Sequence, residues 1–274
     1  MRIFCTISDS NYIKFLNALI QSMEKYIPFE FKLVVLCLDD NVENYLIENS
    51  LNLDLINLSY LEELQKELLI AKKSRSKVEY FYTLSSGISN YCMINYTYDS
   101  ITYLDSDLFF FNNPEKIFSE IKGYNVAIIP HNFTDKTKKN IKYGIYNVGW
   151  VTFNDTNEGR RCLVDWYNNC LNWCYQKLEN GKYADQKYLD SWPNQYERVK
   201  ILKNKGLNLA IWNIGNYKIS KKDGEIYVDD DKLIFFHFAG IQIISNKHII
   251  TGLSKAKVFL DGVIKFDIYS HYLK

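Results

Sequence analysis

The sequence predicts an α/β fold in which a mainly parallel sheet is flanked by helices. Three observations carry that expectation. Runs apolar on both faces at residues 2–8, 31–38 and 53–58 alternate with amphipathic segments. Such strands need cover on both sides, which parallel sheets receive from their crossover helices. Of the 274 residues, 47% are hydrophobic and 24% charged, a globular composition. No repeat, low-complexity stretch or Gly/Pro-rich linker divides the chain, so residues 1–274 read as a single domain with an irregular C-terminal third.

Each element follows from local pattern. After the strand at 2–8, Asp9 or Ser10 can cap a helix whose apolar positions are Tyr12, Phe15, Leu16, Leu19, Ile20 and Met23. The strand at 31–38 leads into Asp39, Asp40 and a helix over 42–48, and the strand at 53–58 into a helix over 60–71. A basic stretch (Lys72, Lys73, Arg75, Lys77) precedes a helix over 78–95. A short strand at 101–104 then meets Asp105-Ser106-Asp107 and the apolar block 108–111. Pro114 suits a helix start, where its missing N–H costs nothing. Strands are expected at 125–130 and 147–153, with the Lys-rich stretch 134–142 between them as a loop. Helices over 158–178 and 184–191 follow, and 233–238 is the clearest strand of the tail.

Composition excludes several classes. Lys and Arg number 33 against 32 acidic residues, a net charge of +1, so a general electrostatic grip on nucleic acid is not expected. No run approaches the ~20 apolar residues of a membrane span, and Ser8 to Asn11 cut short any signal-peptide core. A soluble, cytoplasmic chain in a reducing compartment is expected. Of the six cysteines, Cys162, Cys170 and Cys174 share a four-residue spacing with Trp166. That is the stripe of a packed helix face, with a metal or iron–sulfur site as the alternative.

The chemistry concentrates at Asp105 and Asp107. In extended chain, residues i and i+2 point the same way, roughly 6.5 Å apart. Two carboxylates directly after a buried strand suit Mg²⁺ or Mn²⁺, which in turn holds diphosphate oxygens. Asp229-Asp230-Asp231 matches the same pattern but lies in a polar turn near Gly224 and reads as solvated. Asp105 and Asp107 instead interrupt Ile-Thr-Tyr-Leu and Leu-Phe-Phe-Phe, where an uncompensated carboxylate is costly. A cation, an open cleft or a capping role would relieve that cost. Ser8-Asp9, Asp105-Asp107 and His237 each follow or end an expected buried strand, and ligands of open α/β sheets bind beyond the carboxyl ends of strands.

Five segments in order carry a resemblance: Thr6 to Tyr12, Tyr103 to Leu108, Tyr146 to Asn154, Ala184 to Leu189 and Phe236 to Gly240. Together they resemble nucleotide-diphospho-sugar transferases of the GT-A fold, close to the family 8 glycosyltransferases. The resemblance implies a GT-A-like, Rossmann-like sheet with a nucleotide-binding half (1–107) and a sugar and acceptor half (108–274). It implies Asp105, Asp107 and His237 as ligands of Mn²⁺ or Mg²⁺, and Thr6, Asp9, Asn11, Tyr12 and Ser106 on the nucleotide side. Asn147 would face the donor sugar, with Asp185 and Gln186 as the catalytic pair. The sequence departs from that family at Ile241 to Ile244, where Lys-Pro-Trp is usual, and in the donor-binding Arg, for which Arg75 and Lys77 are the candidate substitutes.

The activity so implied is transfer of a sugar from a nucleotide diphosphate sugar, a UDP-sugar by analogy, to a glycan or glycolipid acceptor hydroxyl. Retention of the anomeric configuration is implied, and inversion would need a carboxylate near the acceptor, with Asp185 the candidate. Surface polysaccharide or lipo-oligosaccharide synthesis fits, with peripheral contact at the inner membrane face. The competing reading is a non-catalytic nucleotide-sugar or carbohydrate-binding protein. The loop lysines Lys136, Lys138, Lys139 and Lys142 read as solvated, or as a lid over the donor or a patch for anionic lipid.

Overall fold

The computed structural model describes residues 1–49, 53–245, 248–253 and 261–273. Its main sheet has seven strands: β1 (Arg2–Ser8), β2 (Phe31–Cys37), β3 (Asp54–Asn57), β4 (Ser100–Leu104), β6 (Val126–Pro130), β7 (Tyr146–Asn154) and β8 (Val199–Ile201). They lie in the order β3-β2-β1-β4-β7-β6-β8. The chain leaves β1 for β2 on one side and reaches β4 on the other, so the strand order reverses between β1 and β4. All neighbours pair in parallel except β7, which runs antiparallel to both β4 and β6. The short β5 (Leu108–Phe110) leaves the main sheet and pairs with strand Phe235–His237, which also pairs with β9 (Leu209–Ala210).

The apolar runs divide their side chains between two cores by simple alternation. On one face Ile3 and Cys5 of β1 meet Val34 and Leu36 of β2; on the other, Phe4 meets Leu33 and Val35. The first face is covered by α5 (Lys77–Asn95) and α7 (Asn157–Asn172). The second is covered by α1 (Ile13–Tyr26), α2 (Asp40–Glu48) and α6 (Glu115–Glu120). Trp150 of β7 is fully buried in the second core, its ring stacked on Phe235 at 5.2 Å.

Several expected boundaries move for local reasons. The helix expected over 60–71 is two, α3 (Leu58–Leu64) and α4 (Glu67–Lys73), broken where Gln65 turns its amide inward to donate to the Gly87 carbonyl at 3.1 Å. Helix α7 ends at Asn172 rather than 178, because Trp173 adopts extended backbone. The segment expected as a helix over 184–191 is a 3₁₀ turn, Gln186–Ser191, and the loop over 134–142 contains another, Lys138–Tyr143. Neither Asp9 nor Ser10 caps α1: Asp9 accepts instead from the Asn11 backbone N–H at 3.1 Å, within a turn before the helix.

The Cys stripe is a packed face. Cys162, Trp166 and Cys170 of α7, with Cys174 beyond it, are buried against α5 in the first core, and burial pushes the Cys162 and Cys170 thiols up. Among the described residues these sulfurs join no metal-ligand cluster. No helix among those residues is long and apolar enough to cross a membrane.

Helix α5 is buried on nearly all sides, and its hydroxyls are satisfied by turns of their own helix: Thr83, Ser85, Ser86 and Ser89 donate to carbonyls three or four residues back. Its start is fixed by a capping box, with Ser76 Oγ accepting from the Glu79 N–H and Glu79 accepting from the Ser76 N–H. Ser76→Ala is therefore expected to destabilise the protein by about 1 kcal/mol, and a thermal melt should show a fall of roughly 2 °C or more.

Candidate active site

The local course of the chain assembles the site. After Leu104 the sheet strand stops, and Asp105, Ser106 and Asp107 make a turn in which the Leu108 N–H donates to the Asp105 carbonyl at 3.3 Å. The chain then re-enters as β5, whose register sets Leu108 opposite His237. The Phe238 N–H donates to the Asp107 carbonyl at 2.9 Å. The imidazole is thereby delivered to the aspartate turn: His237 Nε2 lies 3.0 Å from Asp107 Oδ1 and 3.6 Å from Asp105 Oδ2. One ligand atom from each of the three residues lies within 4.8 Å of the other two.

The donor set fits a hard divalent cation. Two carboxylates and one imidazole are a usual mixture for Mn²⁺ and are compatible with Mg²⁺. Asn208 Oδ1 sits 3.3 Å from His237 Nδ1 and, as an acceptor, makes that nitrogen the N–H, which leaves Nε2 facing the carboxylates. Burial and the neighbouring Asp107 raise the Asp105 carboxyl to about 6, with His237 opposing the shift. Burial works against the charged His237, yet Asp107 and Asp105 beside it hold its pKa above the ordinary value.

The carboxylates open into a cleft of about 470 Å³ outside the carboxyl ends of β1 and β4, where the strand order reverses. Asp9, Asn11 and Tyr12 line it from the end of β1, Ser106 from the aspartate turn, and Asn147, Asp185 and Gln186 from elsewhere along the chain. Burial, then the charges of Asp107, Asp105 and Asp9, push the Tyr12 phenol up to about 12. Lys77 also lines the cleft, its ammonium 3.1 Å from Asp9 Oδ2.

Two residues expected at the site are not brought to it. Thr6 is fully buried within β1 and does not line the cleft. Arg75 turns the opposite way from Lys77: one guanidinium nitrogen donates to the Leu171 carbonyl at 2.6 Å and another to Thr83 Oγ1. It lines a different opening, with Glu67, Ser74 and Asn168. The N-cap at Ser76 separates the two cations and sends them apart. The stretch around Lys136 and Lys139 lines a neighbouring cleft and not this one.

Sequence reasoning also missed part of the site. One face of α5 (Phe81, Tyr82 and Ser85, in line with Lys77) lines the cleft. Ser85 Oγ lies 2.8 Å from Asp185 Oδ2. Burial, with Ser85 opposing and Asp105 adding, raises the Asp185 carboxyl to about 7. Asn147 is held from both ends of its amide: Oδ1 accepts from the Gly149 N–H at 3.1 Å, and Nδ2 donates to His131 Nε2 at 3.3 Å. Burial keeps His131 neutral, its pKa lowered to about 4. Gly149 has no room for a side chain, since a Cβ there would come within 2.5 Å of Asn147 Oδ1 and 2.8 Å of the His237 ring. The only advance signal for α5 was its run of small hydroxyl residues in an otherwise apolar helix.

No family model matches the chain. It is 31% identical over 255 residues to the uncharacterized protein YfnD of Bacillus subtilis (strain 168), covering 89% of this chain and 79% of that one. It is 30% identical over 256 residues to the uncharacterized protein YfnF of the same strain, covering 90% and 84%. Among solved structures it is similar to the galactosyltransferase LgtC in complex with donor and acceptor sugar analogs, with a TM-score of 0.61 and 13% identity over 98% of this chain and 100% of that one. It is also similar to apo mouse xyloside xylosyltransferase 1, with a TM-score of 0.54 and 12% identity over 88% and 98%. At such identities the likeness shows the fold, which is GT-A, as the ordered segments of the sequence implied.

Proposed function

The chain belongs to the family of YfnD and YfnF, and from that premise and its cleft we propose that it is a metal-dependent glycosyltransferase. It moves a sugar from a nucleotide diphosphate sugar, of UDP type, to the hydroxyl of a glycan or glycolipid in surface polysaccharide or lipo-oligosaccharide synthesis. In this reading 1–274 is one domain, with 1–107 holding the nucleotide and 108–274 the sugar and acceptor. The observation that carries the proposal is the cluster of Asp105, Asp107 and His237, whose two carboxylates open on a 470 Å³ cleft where the strand order reverses.

Asp105, Asp107 and His237 hold Mn²⁺ or Mg²⁺ in this reading. When bound, that ion supplies Lewis-acid stabilisation of charge on the departing diphosphate. The remaining steps belong to the chain's own side chains. Asp9, Asn11 and Tyr12 hold the nucleoside, and Lys77 offers a cation to the diphosphate side. Asn147, fixed by His131 and the Gly149 N–H, presents its amide to the sugar, and Asp185 and Gln186 close the opposite wall. The bond from the anomeric carbon to the diphosphate oxygen breaks, the acceptor oxygen bonds to that carbon, and the acceptor proton passes to the departing diphosphate. Retention is the course this reading takes, supported by the placement of acids: Asp185 lines the donor cleft, and no carboxylate among the described residues lines the cleft next to it. An inverting route would need a base there.

The test is a thermal-shift titration with UDP and UDP-sugars, with and without Mn²⁺, followed by an assay of donor cleavage. UDP is expected to raise the midpoint only with Mn²⁺, by an amount equal to about 2.7 kcal/mol when ligand reaches a hundredfold over Kd. No metal-dependent shift would reject the donor site. A shift without any donor cleavage or transfer would make the protein a binder and not an enzyme.

A further inference from the structure

Across the side chain of Gln186, which lines both, the donor cleft adjoins a second opening of about 540 Å³. The two differ in chemistry. Four carboxylates line the donor cleft: Asp9, Asp105, Asp107 and Asp185. Among the described residues lining the second, there are none; Lys136 and Lys139 stand there instead, with the aromatic rings of Phe133, Tyr143, Tyr183 and Trp212.

The aromatic walls are ordered by contacts with one another. The Tyr143 and Tyr183 rings lie 4.5 Å apart, and Phe133 stacks on His131 at 4.5 Å. Trp212 stands edge-on to His131 at 5.3 Å and to His237 at 5.0 Å. One indole therefore separates the second cleft from the metal-ligand cluster. On its other side it abuts the histidine that orients Asn147. Flat rings of this kind suit the apolar faces of a sugar, and two ammonium groups in a cleft lined by no acid among the described residues favour a negative charge.

We infer that the second cleft binds the acceptor as an anionic saccharide, with its ring against the aromatic walls and its carboxylate or phosphate on Lys136 and Lys139. The word acceptor rests on the glycosyltransferase reading; the binding of an anionic sugar does not. Lys138 and Lys142 do not line this cleft. Lys138 pairs with Asp135 at 3.0 Å, and the Lys142 ammonium lies over the Tyr143 ring at 4.9 Å.

The experiment measures binding to the full chain without nucleotide or metal, by calorimetry at low and high salt. Phenyl β-D-glucuronide is compared with phenyl β-D-glucoside, and glucose 6-phosphate with glucose. The anionic member of at least one pair is expected to bind roughly tenfold tighter at low salt, and the preferred pair identifies the anion. In the K136Q/K139Q double variant that ratio should collapse toward one. The inference is overturned by equal affinities in both pairs, or by a preference that survives the double substitution. It is overturned equally by inorganic phosphate competing as well as glucose 6-phosphate. Lysine-dependent binding to phosphatidylglycerol vesicles with no preference among the sugars would also overturn it, in favour of a lipid-facing patch. Because UDP and Mn²⁺ are left out, failure of the donor reading would show only in the thermal-shift titration.

Discussion

Asp107→Asn is expected to cut metal-dependent sugar transfer at least ~100-fold, about 2.7 kcal/mol of barrier. The substitution keeps the shape of the side chain and removes its charge. Asp107 makes the closer of the two carboxylate contacts with His237, at 3.0 Å against 3.6 Å, so it contributes to both the charge and the geometry of the cluster. In the proposed reaction the negative charge on the leaving diphosphate develops as the glycosidic bond breaks, so weakening the metal site costs more in the transition state than in the ground state. The Mn²⁺-dependent part of the UDP thermal shift should shrink in parallel with turnover. Near-normal turnover in the variant, with metal still required, would reject Asp107 as a ligand.

How far the site was legible in the sequence depends on what fixes each residue. Asp105 and Asp107 stood out because charge inside an apolar stretch is costly without a partner, and the structure turns them toward a cleft. His237 could be paired with them through its place at the end of an expected buried strand and through the order of the resembling segments. Its local context, Phe-His-Phe, reads equally as core, and the register of β5 against strand Phe235–His237 is a long-range fact. Lys77 and Arg75 were indistinguishable in sequence because the position of one N-cap decides which of them enters the cleft. Thr6 fails by its depth in the strand: the cleft is lined from Ile7 and Ser8 at the end of β1, and Thr6, one residue further back, is fully buried. The contact between Ser85 and Asp185 spans 100 residues of chain and leaves no local trace. The reversed direction of β7 escaped for a related reason: a strand buried on both faces shows the same apolar run whichever way it points.

Asp185→Asn is expected to stabilise the metal-free protein while impairing turnover, and the gain should depend on pH in a defined direction. Asp185 is 6% exposed, and its carboxyl is raised from 3.8 to about 7, chiefly by burial. The neutral acid is well satisfied. It can donate to Ser85 Oγ at 2.8 Å, while the Ser85 hydroxyl donates a hydrogen bond to the Tyr82 carbonyl at 2.7 Å. An Asn amide can make the same donation without a titrating proton. Because the folded-state pKa lies above the unfolded one, the folded state retains a proton that the unfolded chain has released. The stability this gives the wild type is fully present below pH ~4 and is lost as pH rises toward about 7. The difference between Asp185→Asn and wild type should therefore open between those limits and level off above, with a ceiling of about 4 kcal/mol. Denaturant midpoints across that range read it directly, and a difference that stays flat with pH would show that Asp185 is ionised throughout. A side chain that destabilises the resting protein at neutral pH while lining the donor cleft is the pattern expected where function opposes stability. Its replacement should thus raise Tm and slow transfer in the same variant.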